Sequence, residues 1–182
     1  MDHLPTSLDN STNPLLRQGE LALASFKAGL TVSADLTLGG FDTHAAQGTV
    51  DGLLADQLED VNSIVTILAE NLGDAFNNTL ILTLTEFGRT IKQNGGNGTE
   101  HGWGGAILMA GGLIKKSQAY TDWPGLKKKQ LFEGRDLMST IDARAVYNAA
   151  MSVCFDIDPE QLRRDVFWKD DLPNLTESLF KV

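Results

Sequence analysis

Residues 39–44, Gly39-Gly40-Phe41-Asp42-Thr43-His44, place an aspartate and a histidine two positions apart behind a pair of glycines. Imidazole nitrogen and carboxylate oxygen are the donors that zinc and related divalent ions take. Asp42 and His44 can both turn to one ion if the backbone between them leaves regular strand geometry, and Gly39 and Gly40 permit such a bend. A competing reading makes Asp42 the cap of the helix that follows. Asp-x-His recurs by chance, so on spacing alone both readings stay open.

Two later segments share this grammar, Glu86-Phe87-Gly88-Arg89-Thr90 and Gly98-Thr99-Glu100-His101-Gly102. Glu86 directly follows a mostly apolar run, a position that suits a cleft better than open water; its structural alternative is a rim ion pair with Arg89 or Lys92. Arg89 can offer a planar guanidinium to an oxyanion or a phosphate. Trp103 can line a pocket or pack under the glycine loop. His3, the remaining histidine, lies in a polar leader and is given no role. The chain has no G-x-x-x-x-G-K-[ST] loop, no G-x-G-x-x-G opening a helix and no G-x-S-x-G elbow, so the glycines at 95–105 are not read as a nucleotide cradle.

The elements that must position these loops follow from hydrophobic period. Residues 1–13 read as a flexible leader and 14–182 as one α/β domain. Pro14 suits the first turn of a helix running to about Ala28, closed by Gly29. The alternation in residues 31–38 reads as a strand that delivers the Asp-x-His loop at its carboxyl end. Leu54, Leu58, Val61, Val65, Leu68 and Leu72 form one stripe of a helix over about 49–72, stopped by Gly73. The near-continuous apolar run 79–85 predicts a strand covered on both faces, and 106–110 a third. Ser139 or Thr140 caps a helix whose core positions are Ala145, Val146, Ala149, Ala150 and Val153; Asp158-Pro159-Glu160 opens a last short one. Strands alternating with helices predict an α/β fold with a mostly parallel sheet, its ligands at the carboxyl ends of the strands.

Composition narrows the function classes. The 182 residues carry 15 Lys plus Arg against 24 Asp plus Glu, a formal charge of −9, which repels phosphate backbones and argues against nucleic acid as a partner. Cys154 is the single cysteine, so neither an intramolecular disulfide nor a cysteine zinc knuckle can form, and its apolar surroundings suggest a small buried side chain. The start has neither the cationic nor the apolar stretch of a signal peptide, and no apolar run approaches the ~20 residues of a membrane span.

Taken in order, the motifs at 39–44, 85–90 and 98–102, with Gly111-Gly112, Trp123-Pro124 and Asp142-Ala143-Arg144-Ala145-Val146-Tyr147, resemble the bacterial domain of unknown function 1501 family. The resemblance covers about residues 36–156. That family looks like a branch of the alkaline phosphatase/sulfatase superfamily. The resemblance therefore implies a three-layer α/β/α sandwich and a metal-dependent hydrolase of phosphate or sulfate esters, with a small-molecule or glycan ester as substrate. It implies Asp42, His44 and His101 as ligands of one divalent metal (zinc first, with Mn, Mg or Ca as alternatives), Glu86 as a second-site ligand and Arg89 as a catalytic contact. Phe87 departs from the pattern by standing where a second-site histidine is usual, and Glu100 where an aspartate is. No nucleophile can be assigned, since family members are longer and the superfamily draws it from the amino-terminal half. The chain is accordingly expected to be the carboxyl-terminal half, partnered by a separately encoded amino-terminal half or by itself. Related proteins are often exported to the periplasm, which leaves localisation open. The alternative function is a non-catalytic binding or scaffold protein with a degenerate site.

Overall fold

The structure, a computed structural model, describes residues 13–169 and 171–182. His3 and the leader expected over 1–13, apart from Asn13, lie outside the described residues. The chain divides into two compact units, Met1–Phe76 with Gln93–Thr99, and Asn77–Lys92 with Glu100–Val182.

The first unit is built on two helices, α1 (Pro14–Lys27) and α2 (Leu53–Asn71). Asn13 caps α1, its side chain accepting from Leu15 N–H at 2.9 Å and donating to Asp60 Oδ1 at 2.9 Å. The buried stripe is Ala22 and Leu23 of α1 with Ile64 and Leu68 of α2. Leu58, expected on that stripe, is 44% exposed, so the apolar face that is used is narrower than its period suggests. Gly73 follows the last helical residues with φ +57°, a left-handed position that costs glycine little.

Residues 31–38 do not form a strand. They run as extended, mostly exposed chain with no ladder partner, and Val32 is 87% exposed. Side chains dock the segment instead. Thr37 N–H donates to Gln18 Oε1 at 3.1 Å, and Gln57 Nε2 of α2 donates to Gly40 O at 2.6 Å. Gln18 and Gln57 thus fix both ends of the stretch that leads into Asp42.

In the second unit the extended pieces are short. β1 (Ile81–Leu82) pairs antiparallel with β4 (Met109–Ala110), and β2 (Gly88–Arg89) antiparallel with β3 (His101–Gly102). This overturns the expected three-layer α/β/α sandwich with a mostly parallel sheet. Parallel neighbours need a crossover, usually helical, between them. Here the chain turns back between paired segments without a helix, so the pairings are antiparallel and neither sheet exceeds two strands. The run 79–85 is also covered on one side only. Leu80 and Leu82 pack toward the core with Ile107 and Met109, whereas Leu108 is 51% and Leu84 69% exposed.

That core is helical. α3 (Ala143–Phe155) contributes Ala145, Val146, Ala149 and Ala150, with Val153 partly buried against them. Leu172, Leu175 and the end of α5 (Thr176–Leu179) with Phe180 complete it. The cap of α3 is Asp142, three and two residues beyond the expected Ser139 and Thr140, its carboxylate accepting from Arg144 N–H at 3.0 Å. Asp158 caps α4 (Pro159–Leu162) as expected. Cys154 is exposed, on the side of α3 away from the core, which corrects its expected burial; partial desolvation still pushes the thiol above its usual value.

Candidate metal centre

Asp42, Thr43 and His44 close a γ-turn, with His44 N–H donating to Asp42 O at 3.1 Å. The central residue points inward. Thr43 is buried, and its hydroxyl donates to Gln47 Oε1 at 2.7 Å. Its neighbours therefore point outward together, and His44 Nε2 stands 3.0 Å from Asp42 Oδ1. Donors at 2.0–2.2 Å on one tetrahedral ion lie roughly 3.3 Å apart, so a small opening of this pair accommodates a divalent cation. α2 begins at Leu53 with Gly52 as its cap residue, which removes the reading of Asp42 as a helix cap.

The glycine-rich loop clamps this turn within the same unit. Thr99 N–H donates to Thr43 O at 3.1 Å, and the Thr99 hydroxyl to Gln47 Oε1 at 2.7 Å, so one amide oxygen ties two buried threonines. Asn94 binds both partners at once. Its Nδ2 donates to His44 O at 2.8 Å, while its Oδ1 accepts from Gly96 N–H at 2.8 Å and Gly98 N–H at 3.0 Å. Ala46 and Gln47 N–H groups donate to Gly96 O and Asn97 O, both at 2.9 Å. A Cβ on Gly98 would strike the Thr43–His44 backbone, which is why this residue has to be glycine.

In the second unit, the register Gly88↔Gly102 and Arg89↔His101 puts the side chains of Phe87, Arg89 and His101 on one face of the β2–β3 pair. The Phe87 and His101 rings are stacked, with centroids 3.8 Å apart and planes 17° apart. The Arg89 guanidinium carbon lies 5.9 Å from the Phe87 centroid. The opposite face is stripped of side chains, because a Cβ on Gly88 would meet the Gly104 carbonyl. Thr90 closes the pair: its N–H donates to Glu100 O at 2.9 Å, and its hydroxyl accepts from Glu100 N–H at 3.1 Å. Beyond β3, Trp103 stacks on Phe132 with centroids 4.9 Å apart. Arg135 Nη2 donates to His101 O at 3.4 Å and forks onto the buried Asp136, a bond that pushes the guanidinium further toward its protonated form. Glu86 is exposed at the bend before Phe87.

The structure thus brings Asp42 and His44 together in one unit, and Arg89 and His101 onto one strand face in the other. Thr99, bonded to Thr43, is followed two residues later by His101, so the covalent chain runs directly from the clamp to the third histidine. Gln47 and Asn94 escaped the sequence reading. An asparagine among glycines reads as turn chemistry, and a glutamine after an Asp-x-His loop carries no periodic signal. Their roles appear only once the two loops meet.

No helix among the described residues is long and apolar enough to cross a membrane. No curated protein and no solved structure matches the chain. The family model described as protein of unknown function (DUF1501) matches residues 19–159, and the chain belongs to that family.

Proposed function

We propose that the protein binds a divalent metal through Asp42, His44 and His101, with Glu86 as an additional carboxylate, and acts on phosphate or sulfate esters. The observation that carries the metal reading is the γ-turn: it aims an imidazole nitrogen and a carboxylate oxygen outward at a 3.0 Å separation on a turn clamped by Gln47 and Asn94. Two imidazoles and a carboxylate form a donor set suited to zinc. A divalent ion bound there supplies Lewis acidity toward an ester oxygen. Arg89, on the strand face of His101, contributes a guanidinium that can contact the anionic group of the ester. The ester class itself comes from the motif resemblance.

Titration of the metal-free protein with Zn, Mn, Mg and Ca, followed by elemental analysis, tests the metal reading. One ion per chain is expected in the wild type and none in His44→Ala. Wild-type protein without stoichiometric metal overturns it.

A second reading, a metal-binding protein without catalysis of its own, is favoured by the two nearest hydroxyls. Thr43 is buried on Gln47, and Thr90 donates to Lys92 O at 3.1 Å, so neither is poised as a nucleophile. A second chain would then have to supply one. Aryl phosphates and sulfates assayed with each metal separate the readings: turnover abolished by His101→Ala and kept in surface variants excludes the non-catalytic one.

A further inference from the structure

Phe87 stands at the position where the sequence pattern leads one to expect a second metal-site histidine. On ligand chemistry alone it therefore counts as evidence that the site has decayed. The geometry points to a different role: we propose that Phe87 is a positioning residue that holds the His101 imidazole in the plane from which it ligates a metal. This inference rests on the metal reading above.

Three observations support it. His101 is exposed, so without a neighbour its ring would turn freely about its two side-chain torsions. Phe87 covers one face of that ring at 3.8 Å with the planes nearly parallel, which fixes the imidazole and leaves its nitrogens at the open edge. The platform is itself held in place. Gly88 and Gly102 bring the two strands into close register, and the Arg89 guanidinium lies 5.9 Å from the Phe87 ring, where the ring quadrupole attracts it. A ligand whose orientation is set beforehand loses less freedom on binding, which is the advantage that supporting residues give a metal site.

The test uses the whole chain. Three histidines make the imidazole proton resonances simple to assign, with His101→Ala identifying one set by its loss. In metal-free wild type, the His101 ring protons are expected upfield from the Phe87 ring current. Phe87→Leu should release them toward free-imidazole positions and weaken zinc binding roughly tenfold by calorimetric titration, whereas Phe87→Tyr should preserve both. If Leu disturbs the fold by circular dichroism, Phe87→Met takes its place with the same expectations. Equal zinc affinity in wild type and the aliphatic variant, with the ring-current shift lost, overturns the positioning role alone. Wild type that takes up no zinc overturns the metal reading and this inference with it.

Discussion

His44 Nε2 lies 3.0 Å from Asp42 Oδ1, although one residue separates them, because the backbone folds back on itself at Thr43. In a strand these two side chains would share a face but stand parallel, farther apart than one ion can bridge. The γ-turn makes them converge, and the burial of Thr43 on Gln47 keeps the turn from relaxing. The pairing has a second consequence. Without metal, the carboxylate accepts a hydrogen bond from the imidazole, so the site is preformed at the cost of breaking that bond when an ion enters.

Asp42→Asn should therefore be informative beside His44→Ala. It keeps the shape and one oxygen but removes the charge. Both variants are expected to lower zinc affinity by at least about tenfold, read by calorimetry on metal-free protein. Acidification should weaken binding in the wild type, since imidazole and carboxylate must be deprotonated to ligate. Zinc uptake that is insensitive to both substitutions would place the ion elsewhere.

Asn94→Ala removes the donor to His44 O and the acceptor for Gly96 and Gly98 together. Partial exposure of the group and access of water reduce the loss, so a destabilisation of about 1–3 kcal/mol is expected. Hydrogen exchange localises it. The Ala46 and Gln47 amides, bonded to the same loop, should lose protection, while amides of α3 should not. Uniform loss across the chain would contradict a local clamp.

Helices were legible and sheets were not, for a physical reason visible in particular residues. Pro14, Gly29 and Gly73 mark helix ends through backbone chemistry that acts locally, and α1 and α2 begin or end within a few residues of those signals. α3 packs with the alanine spacing that marks its core face. The run 31–38 alternates as a strand does, but alternation cannot supply a partner, and Gln18 and Gln57 hold it in place of a ladder. The candidate ligands were visible by residue type. Gln47, Asn94 and the stacking of Phe87 depend on contacts between segments distant in sequence, which no local pattern encodes.

Asp142 gives a pH-dependent expectation. Its carboxylate caps α3, and the Arg144 side chain holds its pKa below the usual carboxylate value, against a partial desolvation that acts the other way. A pKa lower in the folded than in the unfolded chain contributes stability that is present above the unfolded value and lost as pH falls toward the folded one. Asp142→Ala should cost about 1 kcal/mol near neutrality, after allowance for the solvent-exposed guanidinium. The difference from wild type should shrink below about pH 4, the ordinary range of an aspartate. Urea titrations at several pH values would show it, and a constant difference would assign the loss to packing instead.

Phe180 provides the sharpest test of the second unit's core. Its side chain has no exposure, and its backbone lies in an antiparallel bridge to Ile114, flanked by bonds from Lys115 N–H to Leu179 O and from Lys181 N–H to Leu113 O, both 2.9 Å. The carboxyl-terminal segment is thereby sewn beside residues 113–115, and the ring fills the space between that seam and α3. Phe180→Ala removes the ring's transfer energy and leaves a cavity that the seam prevents from collapsing, so about 3–5 kcal/mol should be lost. Trp168→Ala is the control. Trp168 is larger but 85% exposed, and its removal should change stability by no more than about 0.5 kcal/mol. Midpoints of chemical denaturation measure both. If the exposed tryptophan proved the costlier of the two, the core would have to be centred somewhere other than α3 and Phe180.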